Sequence, residues 1–159
     1  MENNVILATF KNQLSAYDVL ADIRKKYSDK DYIISEAAVV KKENDTISFK
    51  EGFEVSSNGT LGFLSGGLLG SFIGIIGGPL GVLFGGSLGA LFGYTSGLDA
   101  DLMQAGILSD TVKYLENDYY ALVLLATEEN NSGLDAFLQK YGADTILKKE
   151  AAVVLKELE

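Results

Sequence analysis

Residues 62–97 read "GFLSGGLLGSFIGIIGGPLGVLFGGSLGALFGYTSG", and this stretch holds most of the chain's 18 glycines and no charged residue. Gly62, Gly66, Gly70, Gly74 and Gly78 recur every four residues, as do Gly77, Gly81, Gly85, Gly89, Gly93 and Gly97. Positions four apart on a helix lie one above the other, so each ladder predicts a groove without side chains. The ladders meet at Gly77-Gly78-Pro79, where proline suits the first position of a second helix. The reading is a glycine-zipper helical hairpin with arms over 61–76 and 80–98, each otherwise covered by Leu, Ile, Val and Phe.

A glycine in a helix costs roughly 0.5–1 kcal/mol relative to alanine, so about ten of them make an isolated hairpin unfavourable by several kcal/mol. Close backbone contact or a lipid environment has to offset that. Small residues four apart allow helices to approach closely in membranes, and lipid enforces a paired backbone. Two settings therefore stay open for the hairpin: insertion in a bilayer, or burial in the middle of a soluble assembly. The first arm falls short of the ~20 residues that cross ~30 Å of hydrocarbon.

Outward from this centre, every charged residue of the 159-residue chain lies before Val55 or after Leu98. The net charge of −9 excludes nucleic acid as an expected partner, because phosphate binding needs a positive surface. It also leaves no attraction to anionic headgroups, so any contact with a bilayer would be apolar. The chain has neither Cys nor His, which removes thiolate chemistry, the commonest metal ligand and the usual base near neutral pH. No G-x-G-x-x-G and no phosphate-binding loop occurs. Thr127–Asn131, "TEENN", reads as a solvated loop rather than a metal site, and Asp99 and Asp101 mark the end of the apolar stretch. No catalytic residue, cofactor or metal is expected. The start, "MENNVILATF", lacks the basic flank of a secretion signal. The expected location is the cytoplasm or the cytoplasmic membrane, with the charged parts in the cytoplasm.

The two charged flanks echo each other. Ile6–Thr9 "ILAT" matches Leu124–Thr127 "LLAT", and Glu36–Glu43 "EAAVVKKE" matches Glu150–Glu157 "EAAVVLKE" at all but one position. Two echoes in the same order suggest an internal duplication of a strand–helix–strand unit. In the first unit Val5–Phe10 predicts a strand. Leu14, Tyr17, Leu20, Ile23 and Tyr27 share a helical face, and Tyr32–Val40 predicts a second strand. Thr46–Phe53 follows after a hairpin turn at "KKENDT", with Ile47, Phe49 and Phe53 inward. In the second unit Tyr119–Thr127 predicts a strand. A helix follows with Leu134, Phe137, Leu138 and Tyr141 buried and Gly142 closing it, and 144–149 predicts the last strand. The tail from Glu150 is read as helix from its composition, against the echo. Residues 99–116 read as a further helix. The tyrosines are read as packing residues.

The expected fold is α+β: a duplicated βαβ ferredoxin-like sandwich with helices on one face, carrying the glycine-zipper hairpin as an insertion. Residues 1–54 form the first half of the head, 55–98 the hairpin and 99–159 the second half. On these features the chain resembles a bacterial family of unknown function, often labelled "predicted membrane protein", in which ferredoxin-like halves flank a glycine-zipper hairpin. The likeness rests on the hairpin, on "GILSD" (Gly106–Asp110), on "YALVLLA" (Tyr120–Ala126) and on "KYGADTILKK" (Lys140–Lys149). It implies no enzyme activity. The expected function is non-enzymatic self-association into a homo-oligomer through the ladders, in or at a lipid bilayer. The alternatives are a soluble hairpin-cored assembly and a small-ligand-binding regulator.

Overall fold

The computed structural model describes residues 2–44, 46–56, 58–59, 61–62, 67–77, 111, 114–130 and 133–157. Six strands form one sheet: β1 (Glu2–Phe10), β2 (Tyr32–Glu43), β3 (Thr46–Val55), β4 (Leu61–Gly62), β5 (Tyr120–Glu128) and β6 (Thr145–Glu150). Their spatial order is β4-β3-β2-β5-β1-β6, and every neighbouring pair is antiparallel. Four short helices accompany them among the described residues: α1 (Gln13–Lys25), α2 (Leu68–Gly77), α3 (Gly133–Lys140) and α4 (Ala151–Glu157).

Apolar sequence on both faces of the central strands decides the layering. In β1, Val5, Ile6, Leu7 and Ala8 are all fully buried; so are Ala37 to Val40 in β2 and Ala121 to Leu124 in β5. Alternate residues point to opposite faces, so an unbroken buried run requires cover on both sides. One face packs Ile6, Ala8, Ile34, Ala37, Leu122 and Leu124 against Val19, Leu20 and Ile23 of α1 and Leu134 and Leu138 of α3. The other packs Val5, Leu7, Val40, Ile47 and Val123 against Leu69, Phe72 and Ile73 of α2 and Ala151 and Val154 of α4.

Local chemistry places the element ends. Asn12 caps α1, its side-chain oxygen accepting from the Leu14 N–H at 2.8 Å. The β2–β3 hairpin closes with Glu43 opposite Thr46, and Asn44 takes the left-handed conformation that such turns require, φ 52°. Gly142, at φ 88°, ends α3 and donates to the Gln139 carbonyl. The buried Thr9 hydroxyl accepts from the Thr145 N–H at 3.0 Å and so starts β6.

Two register shifts redirect side chains. The β2–β3 pairing shifts between Val39 and Val40, where Val39 lies opposite Glu51 and Val40 opposite Phe49. Lys50 is the extra residue, and Ile47 and Phe53 consequently enter opposite cores. The expectation that Ile47, Phe49 and Phe53 all point inward together fails for this reason, and Phe49 stays exposed. The second shift, between Ile34 and Glu36 in the pairing with β5, makes Ser35 the extra residue. It turns Glu36 to the α2 face while Ile34 serves the α1 face.

The duplicated ferredoxin-like sandwich with an inserted helical hairpin is not what the chain forms. Among the described residues the molecule is mostly sheet, six strands wide, and its helices cover both faces instead of one. The echoes do not mark equivalent units either: Glu36–Glu43 lies in β2, whereas Ala151–Glu157 is a helix. The expected first hairpin arm is also corrected. Leu61–Gly62 is a short strand opposite Val55 and Glu54, and the helix begins only at Leu68. At 10 residues it is about 15 Å long, roughly half a bilayer core. Among the described residues, no helix is long and apolar enough to cross a membrane, so the reading of this segment as a membrane-associated glycine zipper is withdrawn. The expected second arm, 80–98, and most of the expected helix over 99–116 lie outside the described residues. On α1, Leu14 proves exposed and Ala16 and Val19 take the buried positions.

Candidate functional site

The most unusual chemistry lies where the glycine-rich stretch joins the sheet. Gly67 precedes α2, and its carbonyl accepts the first helical bond, from Ser71 N–H at 3.1 Å. Gly67 has no side chain with which to cap the helix, and the first N–H groups of a helix need acceptors from elsewhere. Glu36 supplies them from the sheet: its Oε2 accepts from Leu69 N–H at 2.8 Å, and Leu68 N–H donates to the same carboxyl. A Cβ at residue 67 would collide with the Glu36 carboxylate, so the glycine makes room for the carboxyl. Glu36 is only 9% exposed, and Glu54 lies directly opposite it across β2–β3. Burial raises the Glu36 carboxyl above its ordinary value. The two N–H donors pull it down, and the Glu54 charge pushes it up again.

A second polar cluster lies at the end of the α1–α3 face. Glu128, almost fully buried, accepts from Asn4 Nδ2 at 2.7 Å and from Lys148 Nζ at 2.9 Å. Lys148 Nζ also lies 3.0 Å from Asp135 Oδ1, an ion pair without the alignment of a hydrogen bond. Beside it, the Thr127 hydroxyl donates to Asn3 Oδ1 at 2.6 Å. The solvated loop expected at "TEENN" thus begins two residues later, at Glu129, because Thr127 and Glu128 belong to β5 and Glu128 to this network. These bonds and the ion pair tie α3, β1, β5 and β6 together, as buried charges must be tied. Among the described residues, no three carboxylates gather as a metal site would require.

Where β3 meets β4, a cleft of about 600 Å³ is lined by Arg24, Phe49, Lys50, Glu51, Phe53 and Leu61 among others. The Arg24 guanidinium bonds Glu51 at 3.0 Å and lies 5.5 Å from the centre of the Phe53 ring. Gly52 lets β3 lie close to β2, since a Cβ there would come within 2.6 Å of the Ala37 carbonyl oxygen. On the far side of α1, Tyr17 meets Tyr120 edge to face at 6.1 Å, and Lys41 Nζ lies 5.4 Å from the Tyr120 ring centre. Burial raises the hydroxyls of Tyr17 and Tyr32.

The ladder residues are distributed as follows. Gly62 lies in β4, and Gly70, Gly74 and Gly77 lie in α2. Gly66, Gly78, Gly81, Gly85, Gly89, Gly93 and Gly97 lie outside the described residues. On α2 the large side chains of Leu69, Phe72 and Ile73 point into the sheet, and a Cβ added at Gly70 would meet no atom of the described residues within 4 Å.

No family model, no curated protein and no solved structure matches this chain.

Sequence reasoning missed Glu36, Gly67, Asn4, Glu128 and Lys148. Glu36 carried one legible signal, a lone carboxylate at the head of the apolar run Ala37–Val40. Asn4 carried another, an amide directly before a run of four apolar residues. Neither signal reveals the partner, which in each case comes from more than 30 residues away.

Proposed function

We propose that the protein is a non-enzymatic, self-associating domain whose contact surface includes the outward side of α2. One observation carries this reading: α2 commits Leu69, Phe72 and Ile73 to the sheet, and among the described residues a Cβ at Gly70 would find no neighbour within 4 Å. A helix side of small residues admits a second backbone closely. The charged clusters around Glu128 and Arg24 are engaged in packing, which supports a role without catalysis. The absence of Cys and His agrees with such a role and with a reducing compartment such as the cytoplasm.

Gly70→Leu tests the reading cleanly. The new side chain clashes with nothing described in its own chain, and leucine is the better helix former by about 0.8 kcal/mol. Light scattering should report an oligomer for the wild type and a smaller mass for the variant. A monomeric wild type, or an unchanged mass in the variant, refutes it.

A second reading, a small-ligand-binding regulator, is favoured by the cleft beside Arg24. Phe49, Phe53 and Leu61 would hold an apolar body, with Arg24 and Lys50 for an anionic group. Aromatic carboxylates should raise the melting temperature of the wild type and not that of Arg24→Ala.

A further inference from the structure

We propose that the Glu36 carboxyl is a proton-operated latch on α2, gripping the helix more tightly when protonated, so that α2 loosens from the sheet as the pH rises. The geometry supplies each part. The Ser35 bulge aims Glu36 onto the α2 face, Gly67 clears space for the carboxyl, and the Leu68 and Leu69 N–H groups receive it. Among the described residues, the surroundings of the carboxyl offer it no opposite charge. α2 carries no charged residue, and neither does any position over 56–98 of the sequence. β5 places Leu125 in register with Glu36. Among the described residues the charged group facing it is Glu54, from β3, and that charge is of the same sign.

Two opposed influences therefore meet at one side chain. The helix N-terminus favours the ionised form, while burial and Glu54 favour the neutral one, and the balance leaves the carboxyl raised. Undocking α2 returns Glu36 to water and to its ordinary value. The docked state thus binds more protons than the undocked state between the ordinary glutamate range and the raised value. By linkage, docking weakens as the pH climbs through that window and is strongest below it. This is the reverse of a salt-bridged carboxylate, which loses its grip in acid. The proposal concerns how α2 is held, and it stands whether or not the Gly70 side contacts a second copy.

The test uses the full-length protein. Carbon-detected NMR should show Glu36 titrating above the ordinary glutamate range, with the Leu68 and Leu69 amides shifting in step. Amide exchange over 68–73, corrected for intrinsic chemistry, should lose protection several-fold as the pH rises from the ordinary glutamate range through the Glu36 titration. Glu36→Gln keeps an acceptor oxygen without the charge, and its protection should stay level and exceed that of the wild type at the upper end. Glu54→Gln should bring the Glu36 titration down and flatten the exchange profile. Titration of Glu36 within or below the ordinary range overturns the latch. So does a Glu36→Gln protein less protected than wild type at every pH, which is what a plain helix cap predicts. If Glu36→Gln does not fold, the wild-type titration and Glu54→Gln decide the matter alone.

Discussion

Glu36–Glu43 and Glu150–Glu157 differ at one residue of the segment, yet the first is a strand at the heart of the sheet and the second is a helix at its rim. In β2, Ala37, Ala38, Val39 and Val40 are all buried, paired to β3 on one side and β5 on the other. After β6, Ala151 and Val154 are buried while Ala152, Val153 and Leu155 face outward, the three-residue spacing of a helix side. The single difference, Lys41 against Leu155, does not explain this. Available partners do. Among the described residues β6 bonds β1 alone, and its ladder reaches Asn4 at Glu150, two residues from the Glu2 end of β1. A continuing strand would have two described partners left in β1, Asn3 and Glu2. Without a ladder to join, Ala, Leu, Lys and Glu follow their helical preference. With ladders on both sides, the same residues are pulled into a strand.

Three pairs of substitutions probe that contrast, and the largest effect comes from charge. Ala38→Asp places an unpaired carboxylate in the core and should cost more than about 4 kcal/mol, enough to prevent cooperative folding. Ala152→Asp, exposed in the first turn of α4, should change stability by about 0.5 kcal/mol or less, and in the favourable direction. Urea denaturation distinguishes the two, and equal losses would mean that α4 is as deeply packed as β2. Trimming valine comes next. Val39→Ala should cost about 2 kcal/mol in lost burial and cavity, whereas Val153→Ala should lie within about 0.5 kcal/mol of wild type, since alanine is the better helix former. The smallest effect is expected from exchanging the one position that differs. Lys41→Leu combined with Leu155→Lys should leave the far-ultraviolet circular dichroism unchanged and cost about 1 kcal/mol or less, chiefly the Lys41 contacts to Glu43 and Tyr120. A changed spectrum would assign the strand and the helix to that side chain instead of to the neighbours.

The same contrast explains what could be read from the sequence. Local signals carried far. The apolar runs at Val5 and Tyr120, the turn at Asn44, the closing Gly142 and the helical tail all appear where the residues put them. Long-range pairing stayed out of reach. The echo suggested equivalent halves because identical residues have identical preferences, and it could not show that one copy has neighbours and the other lacks them. The two bulges were equally hidden. Nothing in "IISEAA" marks Ser35 as the extra residue, yet that one residue determines which face Glu36 serves. The four-residue glycine spacing argued for a helix from its first member, but pairing with β3 claims Gly62 for a strand and leaves α2 to begin at Leu68. The raised carboxyl of Glu36 has no local signature at all, since it depends on β3, on α2 and on the space at Gly67 together.

The position of β1 has a consequence for how the molecule comes into being. Both of its hydrogen-bonding neighbours, β5 and β6, lie more than a hundred residues downstream, with Ile6 opposite Leu124 and Lys148. β1 therefore leaves the ribosome well before the strands that pair with it, its four consecutive apolar residues unsheltered meanwhile. Contacts so distant in the chain make for slow folding and prolonged vulnerability to aggregation. A nascent chain halted before Tyr120 should accordingly be a client for chaperones.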